Sequence, residues 1–297
     1  MRRFITAHLR SFSDTLLAHS VSANILYVIY RIAFVRIARR QRISSASRFI
    51  SSEFRKKKLL VLGCGPSINQ LPADFFNRIA EFDIVAFSYA ALLPTRITYY
   101  LYEIPEGELL KNHEDFLFPA LKYKTDSGEI RHVMLKNPHS AEGRFFELFP
   151  NAPASLTLAL HLRSLSKLKW VLRFLRWTGL RKHFFFQSRA SLFSTCFWAD
   201  SVGYEEVVLA GIDLNTARYF YEEPSPWVDV KIPNPYPGET FSENSVHPTN
   251  DESRGLKVED AMGVLKAECD ARISIVNPKS ALSRLFPVYN LDDSTSA

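Results

Sequence analysis

Cysteine is scarce: three residues in 297 (Cys64, Cys196 and Cys269), and none in a C-x-x-C pair. That excludes a disulfide scaffold and a cysteine-rich zinc module, and makes a reducing compartment, the cytoplasm, the simpler reading. No apolar run approaches the roughly eighteen residues that an ordinary membrane-spanning helix needs. The chain has no Asp-x-Asp, no His-Glu-x-x-His, no Gly-x-Ser-x-Gly and no glycine loop ending in Gly-Lys-Ser/Thr. These absences remove a common carboxylate pair for a divalent metal, a zinc-protease helix, the α/β-hydrolase elbow and the Walker A phosphate loop. Acid is missing from residues 148–199, between Glu147 and Asp200.

What is present is a globular composition, 46% hydrophobic and 23% charged, enough for a sizeable core. Charge is unevenly placed. Residues 1–58 hold thirteen of the 37 Lys and Arg against Asp14 and Glu53, a net +11, while the rest of the chain carries −5. A nucleic-acid-binding protein should carry its basic face through the folded domain, so that class is disfavoured. The leader is not a signal peptide, because the apolar run after Arg3 stops at His8 and Arg10 with no small-residue cleavage site. Further on, Ile25, Val28, Ile29, Ile32 and Val35 recur at helical spacing, with Arg31, Arg36, Arg39 and Arg40 beside them. Such a basic amphipathic helix lies in an anionic membrane interface, or packs on the body or on a second copy in a homo-oligomer. A second basic stretch interleaves Arg163, Lys167, Lys169, Arg173, Arg176, Arg181 and Lys182 with Trp170, Val171, Phe174, Leu175 and Trp177. It has two readings: an interfacial surface, or a surface helix with solvated arginines and a buried aromatic stripe.

The body alternates strand and helix patterns. Strands are expected at Lys58–Leu62, Phe82–Ser88, Ile97–Tyr102, His132–Leu135, Glu206–Ala210 and Ile273–Val276. Helices are expected at Asn69–Ala80, Phe145–Leu148, Leu158–Leu175, Leu192–Val202, Val258–Asp270 and Ser280–Phe286. This order predicts an α/β fold, a doubly wound, Rossmann-like parallel sheet. Residues 214–250 interrupt it with six prolines and six aromatic residues, leaving from the end of a strand. The readings are a lid over a ligand or a disordered surface insertion, and the aromatic content favours the lid. The expected organisation is a leader (1–57), a nucleotide-binding domain (58–213), a lid (214–250) and a C-terminal return to the same domain (251–297).

The turn Gly63-Cys64-Gly65-Pro66-Ser67 follows the first body strand. Two glycines let backbone approach a ligand closely, and a following helix would offer free N–H groups. A bare Gly-x-Gly is equally a tight strand-to-helix turn. His247, in Ser245-Val246-His247-Pro248, follows the lid; a loop histidine there is either solvated or a general base.

Taken in order, these motifs resemble glycosyltransferase family 42, the bacterial sialyltransferases that use CMP-N-acetylneuraminate. The match runs from Gly63–Ser67 through Leu148-Phe149-Pro150-Asn151-Ala152, the run Val202 to Asp213 ending in Gly211-Ile212-Asp213, the lid tyrosines, His247-Pro248 and Asn277-Pro278-Lys279-Ser280. The resemblance implies an inverting, metal-independent enzyme that needs no cofactor beyond its CMP-sugar donor. His247 would take the acceptor proton, and Tyr219 or Tyr221 would donate to the departing CMP phosphate. The nucleotide would be held by Gly63, Cys64, Gly65, Pro66, Ser67, Ser88, Arg189, Ser191, Gly211, Asp213, Asn215, Pro278 and Ser280. Several positions depart from the family pattern: Cys64, Ser88 and Glu103 stand where asparagines are typical, and Asn215 replaces a tyrosine. Glu103, in the sugar site, would repel a sialic acid carboxylate, so a Kdo-like or other ulosonic acid is the alternative donor. The expected partners are a CMP-sugar and a glycolipid or surface polysaccharide acceptor such as lipopolysaccharide or capsule, at the inner membrane face through residues 1–57. Two other readings stay open: a magnesium- and ATP-dependent pyrophosphokinase-like enzyme, and a catalytically silent nucleotide- or glycan-binding relative.

Overall fold

The computed structural model describes residues 44–45, 57–103, 108–136, 149, 153–157, 159–162, 164–181, 185–229, 232 and 246–290. The leader apart from Ser44, Ser45 and Lys57, the expected helix at Phe145–Leu148, most of the Leu148–Ala152 step and most of the proline-rich half of the lid lie outside them.

The described residues include ten strands. Eight form one parallel sheet: β1 (Ser44–Ser45), β2 (Lys58–Leu62), β3 (Asp83–Phe87), β4 (Ile97–Tyr102), β5 (Ile130–Lys136), β6 (Ala154–Thr157), β9 (Glu206–Ala210) and β10 (Arg272–Ile275). Their spatial order is β1-β6-β5-β4-β3-β2-β9-β10, and every adjacent pair is parallel. β7 (Ala159–His161) and β8 (Phe185–Gln187) pair separately. Alternate residues along a strand face opposite sides, so a sheet covered on both faces needs apolar residues at nearly every position. β2 shows the arrangement: Leu60 and Leu62 join one core cluster with Phe75, Phe118 and Tyr221, while Leu59 and Val61 join the other with Leu168, Phe193, Phe197 and Met262.

Helices among the described residues include α1 (Phe75–Arg78), α2 (Phe118–Asp126), α3 (Leu165–Thr178), α4 (Ser191–Val202) and α5 (Val258–Glu268), with a further short helix at Glu108–Asn112. In α4 every residue from Leu192 to Asp200 is buried. α3 instead has one buried line, Leu168, Leu172 and Leu175.

The structure corrects several expected boundaries. Asn69–Ala80 is not one helix but a 3₁₀ turn, Pro66–Gln70, and the single turn α1; Pro72 lies between them and cannot donate to a continuous ladder. The expected helix Leu158–Leu175 is strand β7 over Ala159–His161 and helix only from Leu165. Ser280–Phe286 contains only a 3₁₀ turn, Ala281–Arg284, capped by the Ser280 side chain.

Candidate functional site

Strand order reverses at the β2–β9 boundary: the chain builds outward from β2 to β6 on one side and to β10 on the other. In open parallel sheets the loops at the carboxyl ends of such neighbours splay apart and leave a crevice. A cleft of about 320 Å³ lies there, lined by the residues that end or follow β2 (Cys64, Gly65), β3 (Ser88), β4 (Glu103), β5 (Lys136) and β9 (Gly211, Asp213). Its remaining wall includes Arg189, Ser191, Tyr219 and His247.

The β2 and β9 loops are interlocked. Gly63 N–H donates to the Ala210 carbonyl (2.9 Å) and Gly65 N–H to the Gly211 carbonyl (2.8 Å). A Cβ on Gly65 would sit 2.3 Å from Asp213 Oδ2, and one on Gly211, at φ +67°, would sit 2.6 Å from Ile68 Cγ1. Close approach of the two loops is therefore what the glycines permit. Asp213 closes the junction: Oδ2 accepts the Ser67 N–H (2.9 Å) and Oδ1 accepts Asn277 Nδ2 (2.6 Å).

That bracket changes the expected phosphate site. The 3₁₀ turn starts at Pro66, which has no N–H, and the next donor, Ser67, is already occupied by the protein's own carboxylate. The expected free helix N-terminus is not available as an anion slot. Gly63, Pro66 and Ser67 shape the loop without lining the cleft, and so do Asn215, whose amide donates to the Lys279 carbonyl, Pro278, and Ser280, whose hydroxyl donates to Ile212 O. Cys64 does line the cleft, but burial pushes its thiol up to about 12, which makes it no nucleophile.

His247 and Tyr219 meet in the cleft lining. His247 Nδ1 lies 2.8 Å from Thr249 Oγ1 and 3.3 Å from the Thr249 N–H, so Thr249 holds that side of the ring in either tautomer. Nε2 lies 3.4 Å from Tyr219 Oη. Burial lowers the imidazole to about 4, so the ring is neutral at neutral pH. The loop itself is tied down: His247 N–H donates to Leu214 O, and Arg189 Nη2 donates to Pro248 O at 2.9 Å. Arg189 thus positions the histidine turn.

The two tyrosine candidates separate. Tyr219 lines the cleft. Tyr221 is 1% exposed, stacked flat against Tyr219 (ring centroids 5.3 Å apart, 4° between planes) and packed on Tyr89. Burial holds its phenol well above the usual value, and it supports Tyr219 rather than meeting a ligand. The first part of segment 214–250 is fastened to the body: Phe220 N–H donates to Cys64 O, Asn69 Nδ2 to Phe220 O, and Trp227 Nε1 to Ile68 O, each at 2.9 Å.

Glu103 is not the isolated charge that the sequence suggests. Lys136, 1% exposed at the end of β5, places Nζ 2.6 Å from Glu103 Oε2 and 3.0 Å from Ser191 Oγ. Burial lowers the lysine while Glu103 opposes that shift. The paired cation offsets the expected repulsion toward an anionic sugar. Sequence reasoning missed Lys136 because the last residue of a strand carries no motif, and its lone charge at the end of the buried Val133–Leu135 run was the only signal. Backbone strain also gathers here. The non-glycine residues at positive φ among the described residues are Ser88 (52°), Arg189 (69°) and Leu214 (56°), and all three line the cleft. Strain of this kind persists where surrounding structure over-determines it, commonly at binding sites. Among the described residues, no three His, Cys, Asp or Glu side chains are grouped to hold a metal ion.

No protein-family model and no curated protein matches the chain. Solved structures similar to it include the monofunctional alpha-2,3-sialyltransferase Cst-I of Campylobacter jejuni, at 17% identity over 84% of this chain and 83% of that one, TM-score 0.45. The sialyltransferase CstII of the same organism, solved with the substrate analogue CMP-3FNeuAc, is 16% identical over 78% of this chain and 85% of that one, TM-score 0.43. At that distance the chemistry of the cleft has to be argued from its own residues.

Proposed function

We propose that the chain is an inverting glycosyltransferase that takes an ulosonic acid, sialic acid or a relative, from a CMP-sugar and needs no divalent metal. The observation that carries this reading is the pairing of a neutral, half-buried imidazole with a phenol at the switch-point cleft, His247 Nε2 and Tyr219 Oη, 3.4 Å apart. The motif order from Gly63 to Ser280 supplies the substrate class, and the cleft supplies groups for each step.

In this mechanism an acceptor hydroxyl gives its proton to His247 Nε2 as its oxygen bonds to the anomeric carbon. The bond from that carbon to the CMP phosphate breaks with its electron pair, and CMP departs as an anion. Tyr219 Oη donates a hydrogen bond to the phosphate, and the Arg189 and Lys136 cations supply field where a metal would otherwise act. Ser88, Cys64 and Gly65 line the nucleotide side. An imidazole near 4 is a weak base, and the anionic donor beside it raises its affinity for the proton. In-line displacement puts the incoming oxygen and the leaving phosphate on opposite faces of the anomeric carbon. His247 and Tyr219 must therefore separate when the donor binds. A glycolipid or surface polysaccharide acceptor completes the reading.

The test is CMP release from CMP-N-acetylneuraminate and CMP-Kdo in the presence of EDTA, with glycolipid acceptors. Turnover with either donor, unaffected by the chelator, is the expected result. Activity that appears only with ATP and magnesium overturns it.

A further inference from the structure

The aromatic residues of α3 are not where a buried stripe would place them. Leu168, Leu172 and Leu175 face the core, while Trp170, Phe174 and Trp177, at i, i+4 and i+7, lie on the opposite side, 65%, 42% and 83% exposed. They form a continuous ridge: Trp170 and Phe174 stack with centroids 5.5 Å apart at 7°, and Phe174 meets Trp177 at 6.4 Å. Leu165 and Leu180, 38% and 40% exposed, are further exposed apolar residues of the same segment. A helix whose outward face is its aromatic face is not built for water alone.

The ridge has basic margins. Lys167, Lys169, Arg173 and Arg176 are all exposed. Arg173 is held by Glu268 at 2.7 Å and Arg176 by Asp270, so these guanidinium stems are fixed along the helix rather than free to swing. Charge selects the occupant. The leader carries +11 in residues 1–58 and would be repelled by this face, and a second copy would set basic margin against basic margin. An anionic lipid interface satisfies both features, with indoles at headgroup depth and the exposed Lys167 and Lys169 ammonium groups toward the phosphates, while Arg173 and Arg176 stay on Glu268 and Asp270.

We propose that α3 is a membrane-docking helix that lies in the plane of an anionic bilayer through Trp170, Phe174 and Trp177. This surface is independent of the chemistry of the cleft. Among the described residues no helix is long and apolar enough to cross a membrane, so the contact is peripheral.

The full chain tests it, with vesicles of phosphatidylcholine alone or mixed with phosphatidylglycerol. Two of the four tryptophans give the readout. Trp198 is 5% exposed and Trp227 donates its indole N–H to Ile68 O, whereas Trp170 and Trp177 are open. Expected results are co-sedimentation with the anionic vesicles and quenching of tryptophan emission by brominated lipid. The quenching should disappear in the double variant Trp170→Phe, Trp177→Phe. The triple variant Trp170→Ser, Phe174→Ser, Trp177→Ser should lower vesicle partitioning by about tenfold or more, with an unchanged melting temperature because all three are exposed. Unchanged partitioning of the triple variant would assign binding to the leader and overturn the proposal. So would failure of the full chain to bind, or two indoles already shielded from acrylamide without lipid.

Discussion

At the scale of single residues, the cleft divides groups that act from groups that hold. His247→Ala should lower turnover by roughly two to four orders of magnitude, as loss of a general base does, while CMP affinity measured by calorimetry stays within a few-fold. Unchanged turnover would remove His247 from the mechanism. Tyr219→Phe and Tyr221→Phe form a matched pair, because the rings are stacked but only Tyr219 lines the cleft. The first should cost about 10²-fold in kcat, the scale of one lost charge-stabilising donor, and the second should leave kcat nearly unchanged; equal losses would contradict the assignment. The family resemblance singles out His247, and Tyr219 or Tyr221 without choosing between them; the structure places His247 and Tyr219 in the cleft lining and buries Tyr221. Lys136 was not legible in the sequence. Its meaning depends on β5 lying beside β4 and on the first residue of α4, contacts 33 and 55 residues away. The Ser67 amide was misjudged for the same reason: the carboxylate that occupies it comes from 146 residues downstream.

At the scale of elements, the β2 and β9 loops behave as one unit. Gly211→Ala would combine positive-φ strain with a Cβ 2.6 Å from Ile68 and 2.9 Å from Gly63 O. A loss of stability of about 3 kcal/mol is expected from strain and overpacking together, read as a lower urea midpoint at unchanged m-value; a shift below about 0.5 kcal/mol would show that the loops can part without cost. Buried strands were the most legible elements. Lys58–Leu62, Ile97–Tyr102 and Glu206–Ala210 have the expected bounds, because apolar runs between turn signals leave few alternatives. The short elements were not legible: β7 and β8 have three residues each, too few for either period to show. The α3 pattern was legible as amphipathic but not in its sense, since Leu and Trp both count as apolar and only packing decides which face turns inward.

At the scale of the whole molecule, burial of imidazoles couples stability to acid. His113, His132 and His247 are each lowered to about 4 by burial. Unfolded histidines titrate near 6.5, so between about 6.5 and 4 the unfolded chain binds more protons than the folded one. Stability is then lost as pH falls through that window, by up to about 1.4 kcal/mol per pH unit for each histidine. Urea midpoints at pH 7 and pH 5 check this; equal midpoints would show that the three rings titrate normally. The doubly wound architecture was predictable from alternating strand and helix patterns, and the reversal of strand order at β2–β9 then fixes where a ligand fits. The order itself was not predictable, because hydrophobic pattern says that a strand is buried and not which strand lies beside it.

The CMP site proposed at the β2–β9 boundary can be checked by a thermal melt of the full chain in EDTA, with CMP, UDP, GDP and ATP compared side by side. Ligand at a hundredfold excess over its Kd adds about 2.7 kcal/mol. CMP alone should raise Tm by several degrees, and Arg189→Ala, which removes a cation placed to face the phosphate, should reduce that shift. No shift with CMP, or a shift with ATP that requires added magnesium, would contradict the proposed site.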